Sequence, residues 1–392
     1  MSEIDQLHHA ELPTSADLNE TPLKIAIIGG GLSGLFTATL LEQAFAKQSD
    51  ATPNAQITIF EKSRSVGRLA TRYRTDDKTG KNWQCSFGAQ FFTAKGESFN
   101  TFIADGITSG LLQPWLADVV TLTPTDIDEP VKIETKEQWD HKHARYVSTP
   151  KMTSWGRELA DKLQHTTIQF TTRVAPLAQY GRLQTNTQTE LFDDNGESLG
   201  HFDWVICTAP NAQAIELMAD SGFAECAKIM QPKMLACYTL MLGWDATQSL
   251  PDALAQQALP KWDVAYIQDS ILDRLFIEHQ KPNHDQLLPS VTIHASNEWS
   301  EQHVDEEIDS IKAQLLAAAQ QALHWNMQTA PSQVDCHRWR YASTVIDDKK
   351  PLGVLLDIDH QWIVSGDWCD RGNIESAYQM AEEVVAAIVH KH

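Results

Sequence analysis

The sequence predicts a mixed chain, α/β in one part and α+β overall: a parallel sheet flanked by helices, joined to a second domain built on an antiparallel sheet with helices. Three observations predict it. A wholly apolar, β-branched run, KIAII (24–28), opens a strand–turn–helix–strand unit, and runs of that kind suit strands buried on both faces. Four runs between 236 and 296 show partial alternation and are separated by turn residues, the pattern of an antiparallel sheet. A strand-like run at 358–367 leads into a helical run from Ile374 to Val389, so the parallel half closes only with the C-terminus.

The length of 392 residues fits two domains, at roughly 150 residues to a domain. Lys and Arg number 31 against 52 Asp and Glu, a net charge of −21. Nucleic acid and anionic membranes both need a positive surface field, so neither is an expected partner. The cysteines, at 85, 207, 226, 237, 336 and 369, show no C-x-x-C spacing. They read as reduced, buried thiols of a cytoplasmic protein rather than as disulfides or a metal site.

Taken in order, residues 1–21 are polar and acidic with no apolar h-region; a disordered tail is expected, and no secretory signal. Leu23–Leu41 is long and apolar enough to suggest a membrane helix, but Gly29, Gly30, Gly31 and Gly34 crowd its middle and break that reading. A strand, a glycine turn and a helix from Leu32 to about Lys47 fit instead. A polar loop follows, then the strand ITIFE (57–61). Segments 166–174 and 202–210 supply later strands of the same half. ACYTLMLGW (236–244), WDVAYIQD (262–269), DRLFIEHQ (273–280) and SVTIHAS (290–296) form the antiparallel sheet, and Glu301–Leu323 a helix.

Gly29-x-Gly31-x-x-Gly34 thus follows a strand and opens a helix whose first residues are Leu32 and Ser33. The first glycine allows a tight turn, the second lets the backbone approach a pyrophosphate, and the third lets helix and strand pack closely. The helix N-terminus favours the phosphates, so the unit reads as a Rossmann-like dinucleotide site. Glu61 ends the next strand, where a carboxylate accepts from ribose hydroxyls. The competing reading is a glycine turn that binds nothing. By itself the fingerprint does not separate NAD from FAD.

Further stretches bear on that choice: KSRSVGRLATRYR (62–74), CSFGAQFFTA (85–94) and WIVSGDWCDRGNIESAYQMA (362–381). With GLLQPW (110–115), RYVSTPKMTSWGRELA (145–160), TAPNAQA (208–214), KPN (281–283), TIHASNEWS (292–300) and RWRYA (338–342), they resemble the renalase family within the flavin-containing amine oxidase superfamily. The resemblance runs from residue 24 nearly to the end. It implies an FAD-binding domain made of 22–100, 166–215 and 335–392, and a substrate domain made of 101–165 and 216–334. It also implies that FAD meets Gly29, Gly31, Leu32, Ser33, Gly34, Glu61, Lys62, Arg68, Gln90, Phe91, Val174, Asp367 and Ile374. Arg68 goes with the diphosphate, Asp367 with the ribitol, and the backbone of Ile374 with the flavin pyrimidine. The chain departs from the family pattern at Val66 and at Ser86–Phe87. Cys369, beside Asp367, reads as a packed thiol rather than a covalent flavin link.

The same resemblance implies a substrate: a dihydronicotinamide isomer of NAD(P) with its hydride at ring position 2 or 6, oxidised through flavin N5, with O₂ reduced to H₂O₂. His294 is the expected catalytic residue, and Arg338, Trp339 and Arg340 the expected substrate-binding residues. No metal is expected. An FAD-dependent amine oxidase and a non-catalytic nucleotide-binding protein remain alternatives.

Overall fold

The computed structural model describes residues 22–47, 55–64, 67–126, 128–180, 188–255, 260–345 and 351–391. The expected tail over 1–21, residues 48–54 of the polar loop, and Val66 lie outside these described residues.

Two large sheets organise the chain. The first has six strands in the order Thr166–Phe170, Ala55–Glu61, Leu23–Ile28, Trp204–Cys207, Trp362–Val364, Leu355–Asp357. All pairings are parallel except the last, which is antiparallel. The Leu23–Ile28 strand is central, as its apolar run requires. Ile25 and Ile27 enter one core with Leu35, Phe36 and Val384, while Ala26 faces the opposite core with Phe60 and Val205. The helices Leu32–Ala46 and Ile374–Val389 cover the first of these faces together. Phe36 is fully buried and meets Tyr378 edge-on at 5.7 Å; its burial contributes about 1.5–3 kcal/mol.

The second sheet has seven strands in the order Gln333–Thr344, Met234–Gly243, Ser290–Ala295, Leu272–Ile277, Val264–Ile267, Asp118–Thr123, Lys132–Gln138. It is antiparallel throughout except that Val264–Ile267 pairs in parallel with Asp118–Thr123. The helix Ile308–Leu323 packs on one face through Ile311, Leu315, Ala319 and Leu323.

Two expectations change. The Gln333–Thr344 strand, assigned from residue 335 to the FAD-binding half, is the edge of the seven-stranded sheet, paired along Met234–Gly243. The helix expected over Glu301–Leu323 is two helices, Asn297–Gln302 and Ile308–Leu323. Ser296 caps the first through Trp299 N. The break between them is held from the edge strand: Arg338 Nη1 donates to the carbonyls of Val304 (2.8 Å) and Glu306 (3.1 Å), and Arg340 Nη1 pairs with Asp305 at 2.7 Å. Carbonyls taken by a guanidinium are not available to continue a helix.

Candidate functional site

A cavity of about 810 Å³ joins the two sheets. On the six-stranded side its wall is made by the strand-to-helix turn. Gly29 N donates to Phe60 O and Thr208 N to Ile28 O, both at 2.9 Å, which ties the ends of three neighbouring strands. Gly29, Gly31, Leu32 and Ser33 line the cavity, and Gly31 caps the helix with no side-chain hydrogen bond. The first-turn N–H groups are therefore left for an anion. Gly34 does not line the cavity. A Cβ there would lie 2.0 Å from Gly29 O and 3.1 Å from Thr208 Oγ1, so its glycine serves the packing of helix against strand.

Glu61 closes its strand 9% exposed, with Oε2 accepting from Gly30 N and Oε1 from Ser63 N, each at 2.7 Å. The carboxylate is aimed across the glycine turn with lone pairs left over. Gly67 has φ +44°, and a Cβ on it would come 2.9 Å from Gly31 Cα. Only glycine lets the two loops approach this closely. Lys62 Nζ donates to Gln213 Oε1 at 2.9 Å, and Val174 bridges to Asp193.

Arg68 and Asp367 line the same wall and pair with each other at 2.5 Å; Arg68 also donates to Ala342 O. Ile374 starts the last helix, whose cap, Asn373, accepts from Ser376 N. Ser343 lines the cavity with a buried hydroxyl that has no hydrogen-bond partner among the described residues. Cys369 is buried outside the cavity wall; its desolvated thiol is pushed well up, with Asp367 adding to the shift.

The seven-stranded sheet supplies the opposite wall from a single row. His337 pairs with Thr239, Thr239 with His294, and His294 with Arg274. Residues directly opposite on neighbouring strands point to the same face, and all four line the cavity. Phe276, Trp339 and Phe87 add the apolar surface. Phe87 stacks on Trp339 at 5.6 Å, and its carbonyl accepts from both Trp339 Nε1 (2.7 Å) and Thr239 Oγ1 (3.1 Å). Phe91 also lines the cavity and meets Trp139 at 4.8 Å.

Behind the row lies a buried polar network. Lys281 Nζ donates to Gln90 Oε1 at 2.8 Å and stands 2.9 Å from Glu278 Oε2. Both members of that ion pair are essentially inaccessible. Glu278 Oε1 accepts from Thr292 Oγ1 and Ser86 N. Because Gln90 Oε1 is an acceptor, its Nε2 is the donor, to Ser86 O and to His294 Nε2 (3.3 Å). That places the His294 proton on Nδ1. Burial first, then the Arg274 and Lys281 charges, lower the His294 imidazole to about 3. Burial and Arg72 lower His337 to about 4. Both rings are neutral at physiological pH.

Apart from Gly34 and Arg338, every site residue expected from the sequence lines this one cavity. Arg338 alternates to the other face of its strand and holds the break between helices. Arg340 lines the cavity, but one end of its guanidinium is tied to Asp305 and its side chain is 44% exposed. Sequence reasoning did not find Arg274, His337 or Thr239. Their only sequence signal is alternation within their strands, and register alone brings them together.

A family model described as an NAD(P)-binding Rossmann-like domain matches residues 27–105. Among solved structures the chain is similar to a protein assigned as a protoporphyrinogen oxidase from Exiguobacterium, with TM-score 0.68 and 13% identity over 94% of this chain and 99% of that one. It is also similar to a putrescine oxidase bound to putrescine, with TM-score 0.64 and 11% identity over 94% and 100%. A cyclohexylamine oxidase from Brevibacterium oxydans gives TM-score 0.65 and 11% identity over 94% and 99%. At these identities the likeness is one of fold. It covers both sheets and shows a mixed α/β chain with a Rossmann-like part. Among the described residues no helix is long and apolar enough to cross a membrane.

Proposed function

We propose that the chain is an FAD-dependent oxidoreductase that oxidises a dihydronicotinamide isomer of NAD(P). The cavity suits FAD on two structural grounds. An uncapped helix N-terminus and Gly67 leave backbone room for a diphosphate beside Glu61, and the buried Ser343 hydroxyl on the wall lacks a partner among the described residues. Within this reading Glu61 holds ribose, Arg68 the diphosphate region and Asp367 the ribitol, while the last helix directs its N-terminus at the pyrimidine ring. Bound there, FAD supplies a hydride acceptor that O₂ re-oxidises with formation of H₂O₂.

The observation that carries the choice of donor is the charge of the wall. The cavity is lined by Lys62, Arg68, Arg173, Arg274 and Arg340 against Glu61, Glu216, Asp273 and Asp367. Five cations to four anions is a local reversal in a chain of net charge −21. The two histidines are neutral, and His294 faces Arg274. A protonated amine is unfavourable beside a guanidinium, whereas an uncharged dihydropyridine carrying phosphates is compatible with it. Such a donor needs no side-chain base, because its ring nitrogen drives hydride loss. His294, its Nε2 engaged by Gln90, is left to donate a hydrogen bond through Nδ1 and to shape the wall.

The test is anaerobic mixing of the yellow protein with 2- and 6-dihydro-NAD(P). Rapid bleaching of the flavin is expected. Bleaching by small amines alone would replace the donor assignment with amine oxidation, and a colourless preparation that takes up no FAD would overturn the cofactor assignment.

A further inference from the structure

The Leu272–Ile277 strand is irregular where it meets the cavity. Leu272 pairs with Ala295 and Arg274 with His294, so Asp273 is an extra residue between the two pairs. On either side of it the strand keeps its core contacts: Leu272, Leu275 and Ile277 all enter the core under Ile308–Leu323. Asp273, Arg274 and Phe276 face the cavity. An uninterrupted strand sends residues 272, 274 and 276 to one face. The bulge switches that parity, so Leu272 stays in the core while two consecutive charged residues turn into the cavity.

The bulge also sets how Arg274 is held. Its Nε donates to Asp273 Oδ2 at 2.8 Å, and its guanidinium carbon lies 5.4 Å from the Tyr266 ring centroid. Among the described residues neither Nη1 nor Nη2 has a hydrogen-bond partner. The other arginines near the cavity are engaged differently: Arg68 by Asp367, Arg72 by Asp335, Arg173 by Glu216, and Arg340 by Asp305 at the more exposed end. One edge of the Arg274 fork is thus fixed, and the other presents two parallel donors beside His294.

We propose that Arg274 is the specificity-determining residue of the donor site, its Nη pair gripping a planar carbonyl acceptor, a carboxamide or carboxylate, borne on the donor's ring. The inference rests on reading this cavity as the donor site. A rigid guanidinium fork matches two coplanar lone pairs, which an ammonium does not. Asp273 balances the charge without covering the fork. The neutral His294 beside it adds no second cation, so a neutral carboxamide is accepted as well as a carboxylate. An amine without an acceptor gains nothing from Arg274 and meets its repulsion.

Isothermal titration of the purified protein with nicotinamide, benzoate and benzylamine tests this without turnover. In Arg274→Ala, the Kd for nicotinamide and benzoate is expected to rise at least tenfold, with the Kd for benzylamine unchanged or lower. Arg274→Lys, which keeps the charge and loses the fork, is expected to weaken nicotinamide as much as Ala does and benzoate by less. It carries the test alone if the Ala variant does not fold. The proposal is overturned if wild type binds neither planar acceptor, or if both variants bind them within twofold of wild type. Failure of dihydronicotinamides to bleach the wild-type flavin would remove the donor reading and leave the titration result standing.

Discussion

The two walls of the cavity are built on opposite plans. The six-stranded side presents the ends of strands and the starts of helices, so its donors are largely backbone N–H groups clustered within short stretches such as 29–34. The seven-stranded side presents the middle of a sheet. Its residues come one from each of four strands, and side chains do all the work. The first plan suits an extended, polyanionic ligand common to many proteins. The second suits a small donor, because each position on the row changes independently of the others.

If the division holds, damage to each wall has a different signature. The largest effect is expected behind the row. Lys281→Met leaves the Glu278 carboxylate buried and unpaired, which costs about 3–5 kcal/mol. Urea unfolding should show it, and adding Glu278→Gln should restore part of the loss; a variant as stable as wild type would mean that the pair is not buried as described. Next comes Gly34→Ala. Its Cβ meets a backbone carbonyl at 2.0 Å, so a loss of about 1–3 kcal/mol is expected, together with poor flavin content in the purified protein.

Asp367→Ala or Arg68→Ala sharpens the comparison. Either is expected to weaken FAD retention about tenfold or more, as expected for loss of a hydrogen-bonded charge pair. His294→Ala is expected to keep the flavin and slow its reduction by about tenfold or more, as removal of a donor-positioning group does. Equal loss of colour in all three would abolish the distinction between the walls.

The smallest effect at neutral pH is the protonation of His294, which shows only as the pH is lowered. The folded protein holds His294 at about 3, against 6.5 for an ordinary imidazole. Below 6.5 the unfolded chain therefore binds a proton that the folded chain refuses, and this residue makes stability fall as pH drops from about 6.5 towards 3. Wild type minus His294→Asn should show that slope in thermal melts, and reduction kinetics should carry no imidazole limb between pH 5 and 8. A limb near 6.5 that disappears in the variant would contradict a neutral His294.

Much of the first wall was legible in the sequence. The helices starting at Leu32 and Ile374 and the strand ending in Glu61 lie where their apolar patterns put them. Each depends on contacts within a few residues. The same reasoning failed at Glu301–Leu323, where the apolar periodicity runs through a break that Arg338 and Arg340 impose from a strand some thirty residues later. It failed for Arg338 itself, whose place in RWRYA says nothing about which face the strand presents. His294 was singled out through the family resemblance, since a single histidine on an apolar strand carries no local signal that it will line the cavity.

By itself the sequence determined the glycine turn, the acid after it, the helix that the turn opens, and the split of the parallel half between the chain's two ends. Their causes are local: backbone freedom at glycine, helix dipoles and buried β-branched runs. Tertiary structure alone decided the row from His337 to Arg274, the parity switch at Asp273, and the neutral state of His294. Each depends on register between strands distant in sequence, and on burial and charge that exist only after those strands have paired.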